Sequence, residues 1–446
     1  MSTKPEYGSD IMLDLLRNLD IKYISLNPGS SLRGIHDSVV NYGKNKHPEL
    51  ILCCHENIAV SIAAGYGLAS GKPMVAMVHN IVGLLNGTNA TYNAWLAGAP
   101  VMILGATGPT PVEDRRPWID WIHTALVQGN VVRDYVKWDD QPASLSGIGD
   151  SLLRGYQIAV TEPQGPVYIC LDAALQEQNL SNSPQPEIPS VKEFALPTPS
   201  YPAPEAIEQA AKLLTKAQKP VVLVELLPDS SAMKSLIELA ELLGLPVIDR
   251  GRSINFPTSH PLNMRGTASQ VLGEADIILA LNIGDLFQSL TGVDRETRRA
   301  KLIIKDTAKV IDISLRHMTW RSWSQAYGRL QATELSITSD AGNALPALVS
   351  QCKKLSSKQA ASSQIQVRKK QIEEIGSKAK KRWEEQAQKA WKDTPVSLPR
   401  LASELWQVVK DEDWVLASHA LNEWVWRIWD FNNPNQCVRR EGLGCA

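Results

Sequence analysis

Two stretches of the chain place ionisable side chains where an otherwise apolar α/β pattern has no need of them. In "CCHENIAVSIAAGYGLASGKPMVAMVHN", Glu56 opens an apolar helical run and His79 ends the hydrophobic strand that follows. In "FPTSHPLNMRG", His260 stands in a Pro-bounded loop, and in "LNPGS" Ser30 follows a Pro-Gly turn at the end of an earlier strand. A carboxylate and imidazoles in one place can hold and move protons, and imidazole titrates near neutrality. Each has a plainer reading when taken singly. Glu56 suits a helix N-terminus, where the dipole favours a negative charge. His79 suits a hydrogen-bonded strand end, and Ser30 suits a turn. Taken together, Ser30, Glu56 and His79 all follow strands, and doubly wound sheets bind ligands outside the carboxyl ends of their strands.

The elements that must position these residues alternate in kind. "SDIMLDLLRNLDI" has helical apolar spacing, "KYISLNPGS" reads as a strand and turn, and "ELILCCHE" as a buried strand. Then come helix "NIAVSIAAGYGLAS", strand "PMVAMVHN", the small-residue helix "GLLNGTNATYNAWLAG" and strand "PVMILGATG". A last strand, "GPVYICLD", closes this segment. Strands alternating with helices imply a mostly parallel sheet covered on both faces. Pro and Ser crowd "NLSNSPQPEIPSVKEFALPTPSYPAP", and Pro fixes φ and removes a donor, so this run reads as linker. A second α/β segment follows, with strands "PVVLVE", "LPVIDR", "ADIILALNIG", "AKLIIKD" and "AKVIDISL". Residues 351–395 are charged and helical, which reads as a solvated connecting helix, with a basic partner-binding surface as the alternative. A third pattern then begins with helix "LASELWQVVK" and strand "DWVLAS". The expected division is 1–180, linker 181–204, 205–350, connecting segment 351–395, and 396–446.

The totals exclude several classes. The 446 residues, net charge of −1 and 43% hydrophobic content fit a globular enzyme and argue against a nucleic-acid binder, which needs a basic surplus. No apolar run approaches the ~18 residues of a membrane span, and the N-terminus lacks the apolar core of a secretory signal. Six scattered Cys form no CxxC pair, so a cytoplasmic location is expected. "HENIA" is not HExxH, "GYGLASG" does not match GxGxxG, and Walker and GxSxG sequences are absent. Zinc hydrolase, nucleotide-binding and serine-hydrolase readings therefore lack local support.

The first segment resembles the pyrimidine-binding domain of thiamine diphosphate-dependent enzymes of the pyruvate decarboxylase and acetolactate synthase superfamily. The motifs that carry the resemblance are "NPGS", "HENIAVSIAAGYGLASGKP" and "NGTNATYNAWLAGAPVMILGATGP", in order and spacing. "PVIDRGRSINFPTSHPLNMRG" resembles the superfamily's central domain, and the tail "EGLGCA" the opening of its diphosphate-binding domain. Within the superfamily the benzoylformate decarboxylases are most similar, through Ser30 and His79. The resemblance implies successive doubly wound parallel-sheet α/β domains. It implies thiamine diphosphate and Mg²⁺ as cofactors, a small 2-oxoacid as substrate, and a homodimer or homotetramer. Glu56 would hydrogen-bond the aminopyrimidine ring and so help the cofactor lose its thiazolium C2 proton; an apolar surround suits that role. Pro28, Gly29, Asn86 and Asn89 would join Glu56 in binding the cofactor. Ser30 would hold substrate, and His79 and His260 would bind substrate and move protons.

Two departures qualify these expectations. The chain stops before the GDG…N motif that holds Mg²⁺ and the diphosphate, so the metal ligands are unknown and lie outside it. It is expected to be a fragment or truncated product, inactive alone. After "VVLVE", Glu225, Leu226 and Leu227 stand where flavin-containing relatives carry glycines, so FAD is not expected. The expected activity is 2-oxoacid decarboxylation; the alternatives are an acetolactate synthase-like carboligase and a non-catalytic paralogue needing another subunit. Trp95, Trp118 and Trp121 are expected in core packing or an interface rather than in a substrate pocket.

Overall fold

The computed structural model describes residues 4–438 apart from 182–185, 187–189, 252, 295, 320–324, 357–358 and 418–420. The tail motif "EGLGCA" lies outside the described residues. Contacts divide the chain into two compact units, meeting in sequence at Thr198 and Pro199.

The first unit holds a six-stranded parallel sheet in the order β2-β1-β3-β4-β6-β5. Its strands are β1 (Tyr23–Leu26), β2 (Glu49–Leu52), β3 (Met74–Met77), β4 (Val101–Thr107), β5 (Trp138–Asp140) and β6 (Val167–Asp172). Side chains alternate faces along a strand, and the two cores show it. Val75 and Met77 of β3 pack with Ile11, Leu15, Ile148 and Leu152 from helices Gly8–Asn18 and Leu145–Val160. Met74, Ala76 and Val78 pack with Val60, Ala63, Leu84 and Ala90 from helices Glu56–Ser70 and Asn80–Ala97. Both faces of β3, β4 and β6 are buried, which is why those strands read as continuous apolar runs. The strand in "ELILCCHE" is different. β2 is an edge strand paired to β1 alone, with Glu49 exposed and Leu52 67% exposed. An apolar run cannot by itself distinguish a covered central strand from an edge.

From β1 the chain steps outward to β2, then returns to place β3 on the other side of β1. That reversal opens a crevice at the carboxyl ends of β1 and β3. The loop carrying Pro28 to Ser31 leaves β1 there, and His79 leaves β3 beside it.

The second unit holds a five-stranded parallel sheet, β13-β12-β9-β7-β8. Its strands are β7 (Pro220–Val224), β8 (Val247–Asp249), β9 (Ile277–Leu281), β12 (Lys309–Ile313) and β13 (Leu335–Ile337). "AKLIIKD", expected in this sheet, instead supplies β11 (Ala300–Leu302) of an antiparallel ribbon with β10 (Thr291–Val293). The short connection between the two runs favours local pairing over a crossover. Helix Gln359–Lys389 is largely exposed but buries Ile372, Ala379 and Ala387. Helices Leu398–Val409 and Asn422–Ile428 follow, and Val425, Trp429 and Phe431 join the core of the second unit. "DWVLAS" forms no strand beyond a bridge between Leu416 and Cys437.

Candidate active site

Close approach at two glycines builds the crevice of the first unit. A Cβ on Gly29 would lie 2.2 Å from Cγ of His79, so only glycine lets the β1 loop pass this ring. A Cβ on Gly83 would lie 2.9 Å from the Glu56 carboxylate and 3.2 Å from Cβ of His79. Gly83 is thus the seam that lets Glu56 and His79 converge from different helices. Glu56 occupies the first position of its helix, capped by His55, whose Nδ1 accepts the Asn57 N–H. Its side chain is buried, and Asn86 Nδ2 donates to its Oε2 at 3.2 Å. A buried carboxylate needs such donors, and the helix dipole supports it further.

His79 is held from two sides. Its Nδ1 lies 2.8 Å from Oγ of buried Ser31, and its ring meets that of His123 at a centroid separation of 5.2 Å. Its pKa falls below the ordinary imidazole value. Burial is the main cause, the nearby His123 adds to it, the Glu56 carboxylate opposes it, and Arg116 adds a smaller push downward. Beside His79, Asn80 takes a left-handed backbone (φ 42°) and is buried, and its Oδ1 has no hydrogen-bond partner among the described residues. Nδ1 of His123 is likewise buried without a partner. Unmet buried polar atoms cost about 1–3 kcal/mol each. They are positions that a bound polar molecule can satisfy. A buried carboxylate, two imidazoles and open polar atoms fit a ligand with ring nitrogens and oxygens, such as an aminopyrimidine cofactor with an oxoacid.

The remaining expected residues differ in their surroundings. Pro28 and Ser30 are exposed on the β1 loop, and it is the neighbouring Ser31 that turns inward. Asn86 reaches Glu56, whereas Asn89 is exposed and accepts from Asn93. His260 belongs to the second unit. Its Nδ1 accepts the Leu262 N–H, its Nε2 lies 3.4 Å from Glu241, and its ring packs edge-on to Phe256. It lines a cavity of about 560 Å³ with Arg265, Trp383 and Trp426. Trp118 and Trp121 are 77% and 75% exposed, so neither packs in the core of this chain. Sequence reasoning did not single out Ser31, Asn80 or His123. "GSSL" offers two adjacent serines with no periodicity to say which faces inward, and His123 ends the helix Asp120–His123, which is too short to show a periodicity. No group of three or more His, Cys, Asp or Glu side chains suited to a metal ion occurs among the described residues.

Two family descriptions match the chain. "Thiamine pyrophosphate enzyme, N-terminal TPP binding domain" matches residues 7–130, and "Thiamine pyrophosphate enzyme, central domain" matches 207–348. Among curated relatives, the mitochondrial acetolactate synthase catalytic subunit of Aspergillus candidus is 26% identical over 61% of this chain and 41% of its own. Benzoylformate decarboxylase of Pseudomonas aeruginosa is 27% identical over 60% of this chain and 50% of its own. The acetolactate synthase large subunit of Lactococcus lactis is 26% identical over 78% and 57%. The chain therefore spans about half the length of the curated relatives it matches. In fold, it is similar to crystalline benzoylformate decarboxylase from Polynucleobacter necessarius, with a TM-score of 0.72 at 19% identity, over 99% of this chain and 76% of that one.

Proposed function

Since the chain belongs to the thiamine pyrophosphate enzymes, whose N-terminal and central domains it carries, we propose that it serves in the decarboxylation of a 2-oxoacid to an aldehyde. The observation that carries this reading is the buried Glu56 carboxylate beside His79 at the crevice between β1 and β3. Thiamine diphosphate, when bound, supplies a carbon nucleophile and an electron sink for the departing carbon dioxide. In this reading Glu56 holds a ring nitrogen of the aminopyrimidine, and Asn86 keeps its carboxylate aimed. Pro28, Gly29 and Asn89 complete the cofactor contacts, with Asn80 Oδ1 an additional acceptor. Ser30 and His79 face the substrate. His260 would move protons through Nε2, the ring nitrogen that lies 3.4 Å from Glu241, because the Leu262 N–H takes its Nδ1.

A carboligase reading is kept open by the acetolactate synthases, which match at the same identity as benzoylformate decarboxylase. Decarboxylation is preferred because of His79 and because of the second sheet. There the order reverses between β7 and β9, and Glu225 occupies the crevice. Its carboxylate accepts the Gly284 N–H at 2.6 Å and lies 3.6 Å from Arg316. A flavin there would have to displace this carboxylate, which supports a flavin-free enzyme. The decisive test incubates the complete gene product with thiamine diphosphate, Mg²⁺ and either pyruvate or benzoylformate. Release of carbon dioxide and a free aldehyde supports decarboxylase; acetolactate points to the carboligase; absence of turnover with both rejects the assignment.

The functional assembly in this reading is a homodimer or a dimer of dimers. Ile58, Ile62, Val82 and Leu85 leave apolar side chains exposed on the two helices that hold Glu56 and His79's successor Asn80, and Trp118 and Trp121 are exposed just before and within the short helix Asp120–His123 of the same unit. A second copy covering this face would remove that surface from water. No helix among the described residues is long and apolar enough to cross a membrane. Cys53, Cys54, Cys170 and Cys352 form no disulfide among the described residues, in keeping with a reducing, cytoplasmic setting.

A further inference from the structure

We propose that Ser31 and His123 are positioning residues for His79, holding its ring in one pose and one tautomer, with Nδ1 on the serine hydroxyl and the exchangeable proton on Nε2. The inference deepens the decarboxylase reading and rests on it for its chemical meaning.

The direction of the Ser31–His79 hydrogen bond follows from burial. Ser31 is 1% exposed, and its Oγ lies 2.8 Å from Nδ1 of His79. If Nδ1 carried the proton, the serine hydroxyl would accept it, and its own hydrogen would be left in the interior with no acceptor. Leaving a buried donor unmet costs about 1–3 kcal/mol. With the hydroxyl donating to Nδ1, both the serine hydroxyl and Nδ1 are satisfied, and a neutral ring must then carry its proton on Nε2. The turn that presents Ser31 is itself fixed. Fully buried Gln176, which follows β6, donates from Nε2 to the Ser31 carbonyl at 2.9 Å, and its Oε1 accepts the Ile35 N–H.

The other face of the ring is set by His123. The two rings lie 5.2 Å apart, tilted by 59°. Two imidazolium charges at that spacing repel in a water-poor site. The groups facing His79 are His123, Glu56 and Arg116; His123 and Arg116 act with burial to keep the ring unprotonated, and Glu56 acts against them. A neutral ring with Nε2–H offers a donor, not a lone pair. The site therefore favours an acceptor oxygen at that position, which the carbonyl or carboxylate of a 2-oxoacid provides.

The test needs neither cofactor nor substrate. The 446-residue chain is labelled with ¹⁵N-histidine, and the His79 imidazole nitrogens are identified by their loss in His79→Gln. Above the titration midpoint the expected spectrum shows an unprotonated Nδ1 and a protonated Nε2. Ser31→Ala is expected to convert this single tautomer into a mixture, and Ser31→Cys, a poorer donor of similar size, to lie between. His123→Gln is expected to move the His79 midpoint upward. A protonated Nδ1 in the unaltered chain, or an unchanged tautomer in Ser31→Ala, overturns the role of Ser31. A midpoint that stays or falls in His123→Gln overturns the role of His123. Failure of 2-oxoacid turnover would leave all these spectra as they are, so the two readings fail separately.

Discussion

Glu56 places a carboxylate in the interior with one side-chain donor, Asn86, and the positive end of its own helix. Such a group is costly to bury, and a catalytic role explains why an apolar helix should begin with it. Glu56→Gln keeps the shape and loses the carboxylate. It is expected to slow exchange of the bound cofactor's C2 proton, and turnover of the complete enzyme, by about 10²-fold or more; exchange near the unaltered rate would sink the assignment. His79→Ala is expected to slow turnover while cofactor affinity, measured by calorimetry, changes little. His79 also makes a statement about stability. Its folded-state pKa lies below the ~6.5 of an unfolded histidine, so between those two values the unfolded chain binds more protons. Its contribution is complete above about pH 6.5 and is lost as the pH falls toward the folded value. Urea unfolding should therefore show the unaltered chain losing more stability than His79→Gln between about pH 7.5 and about pH 5.

At the scale of elements, the site depends on how closely two helices and one loop approach. Helices Glu56–Ser70 and Asn80–Ala97 meet where Gly83 faces Glu56 and Gly87 faces Val60 and Glu56, and Asn57 Oδ1 accepts the Ala90 N–H between them. The small residues of these helices were legible in the sequence; that Gly83 specifically admits Glu56 was not, because closeness between helices depends on register. Gly29→Ala is expected to force the His79 ring aside, since the new Cβ would fall 2.2 Å from it. Loss of turnover with a stability cost of about 1–3 kcal/mol is the expected result, read by activity and thermal melting; an unmoved His79 NMR signal would contradict the packing. In the second unit, Asp312 on β12 is half-buried, its buried Oδ1 has no hydrogen-bond partner among the described residues, and burial pushes its pKa up to about 6. The folded pKa is raised, so Asp312 destabilises the fold as the pH rises from the ordinary carboxylate range through about 6. Asp312→Asn should remove that penalty and raise the urea midpoint above about pH 7 with little change near pH 4.

At the scale of the whole molecule, the apolar face around Leu85, Ile58, Trp118 and Trp121 asks for a cover. Leu85→Glu, exposed in the single chain and so tolerated by its fold, is expected to lower the mass seen by light scattering of the complete protein. An active monomer would defeat the dimer proposal.

Hydrophobic periodicity was enough to read the parallel α/β class and ten of the thirteen described strands, because buried strands of a covered sheet must be continuous apolar runs; the short edge strands β5 and β13 and the ribbon strand β10 carry no such run and were not read. Residue type and order were enough to single out Glu56 and His79, since a charged or titratable side chain at the edge of an apolar element needs a reason. Three matters required the folded chain. Sheet order put β1 beside β3, and this adjacency, invisible in a string of strands, brings the "NPGS" loop against His79. Loop conformation turned Ser31 rather than Ser30 toward the ring, a choice without periodicity to betray it. The same packing carried His123, from the end of the short helix Asp120–His123, onto the other face of that ring. Local sequence specifies which residues can do chemistry; distances between loops are set by long-range packing, and a hydrogen bond is made or missed on a scale of tenths of an ångström.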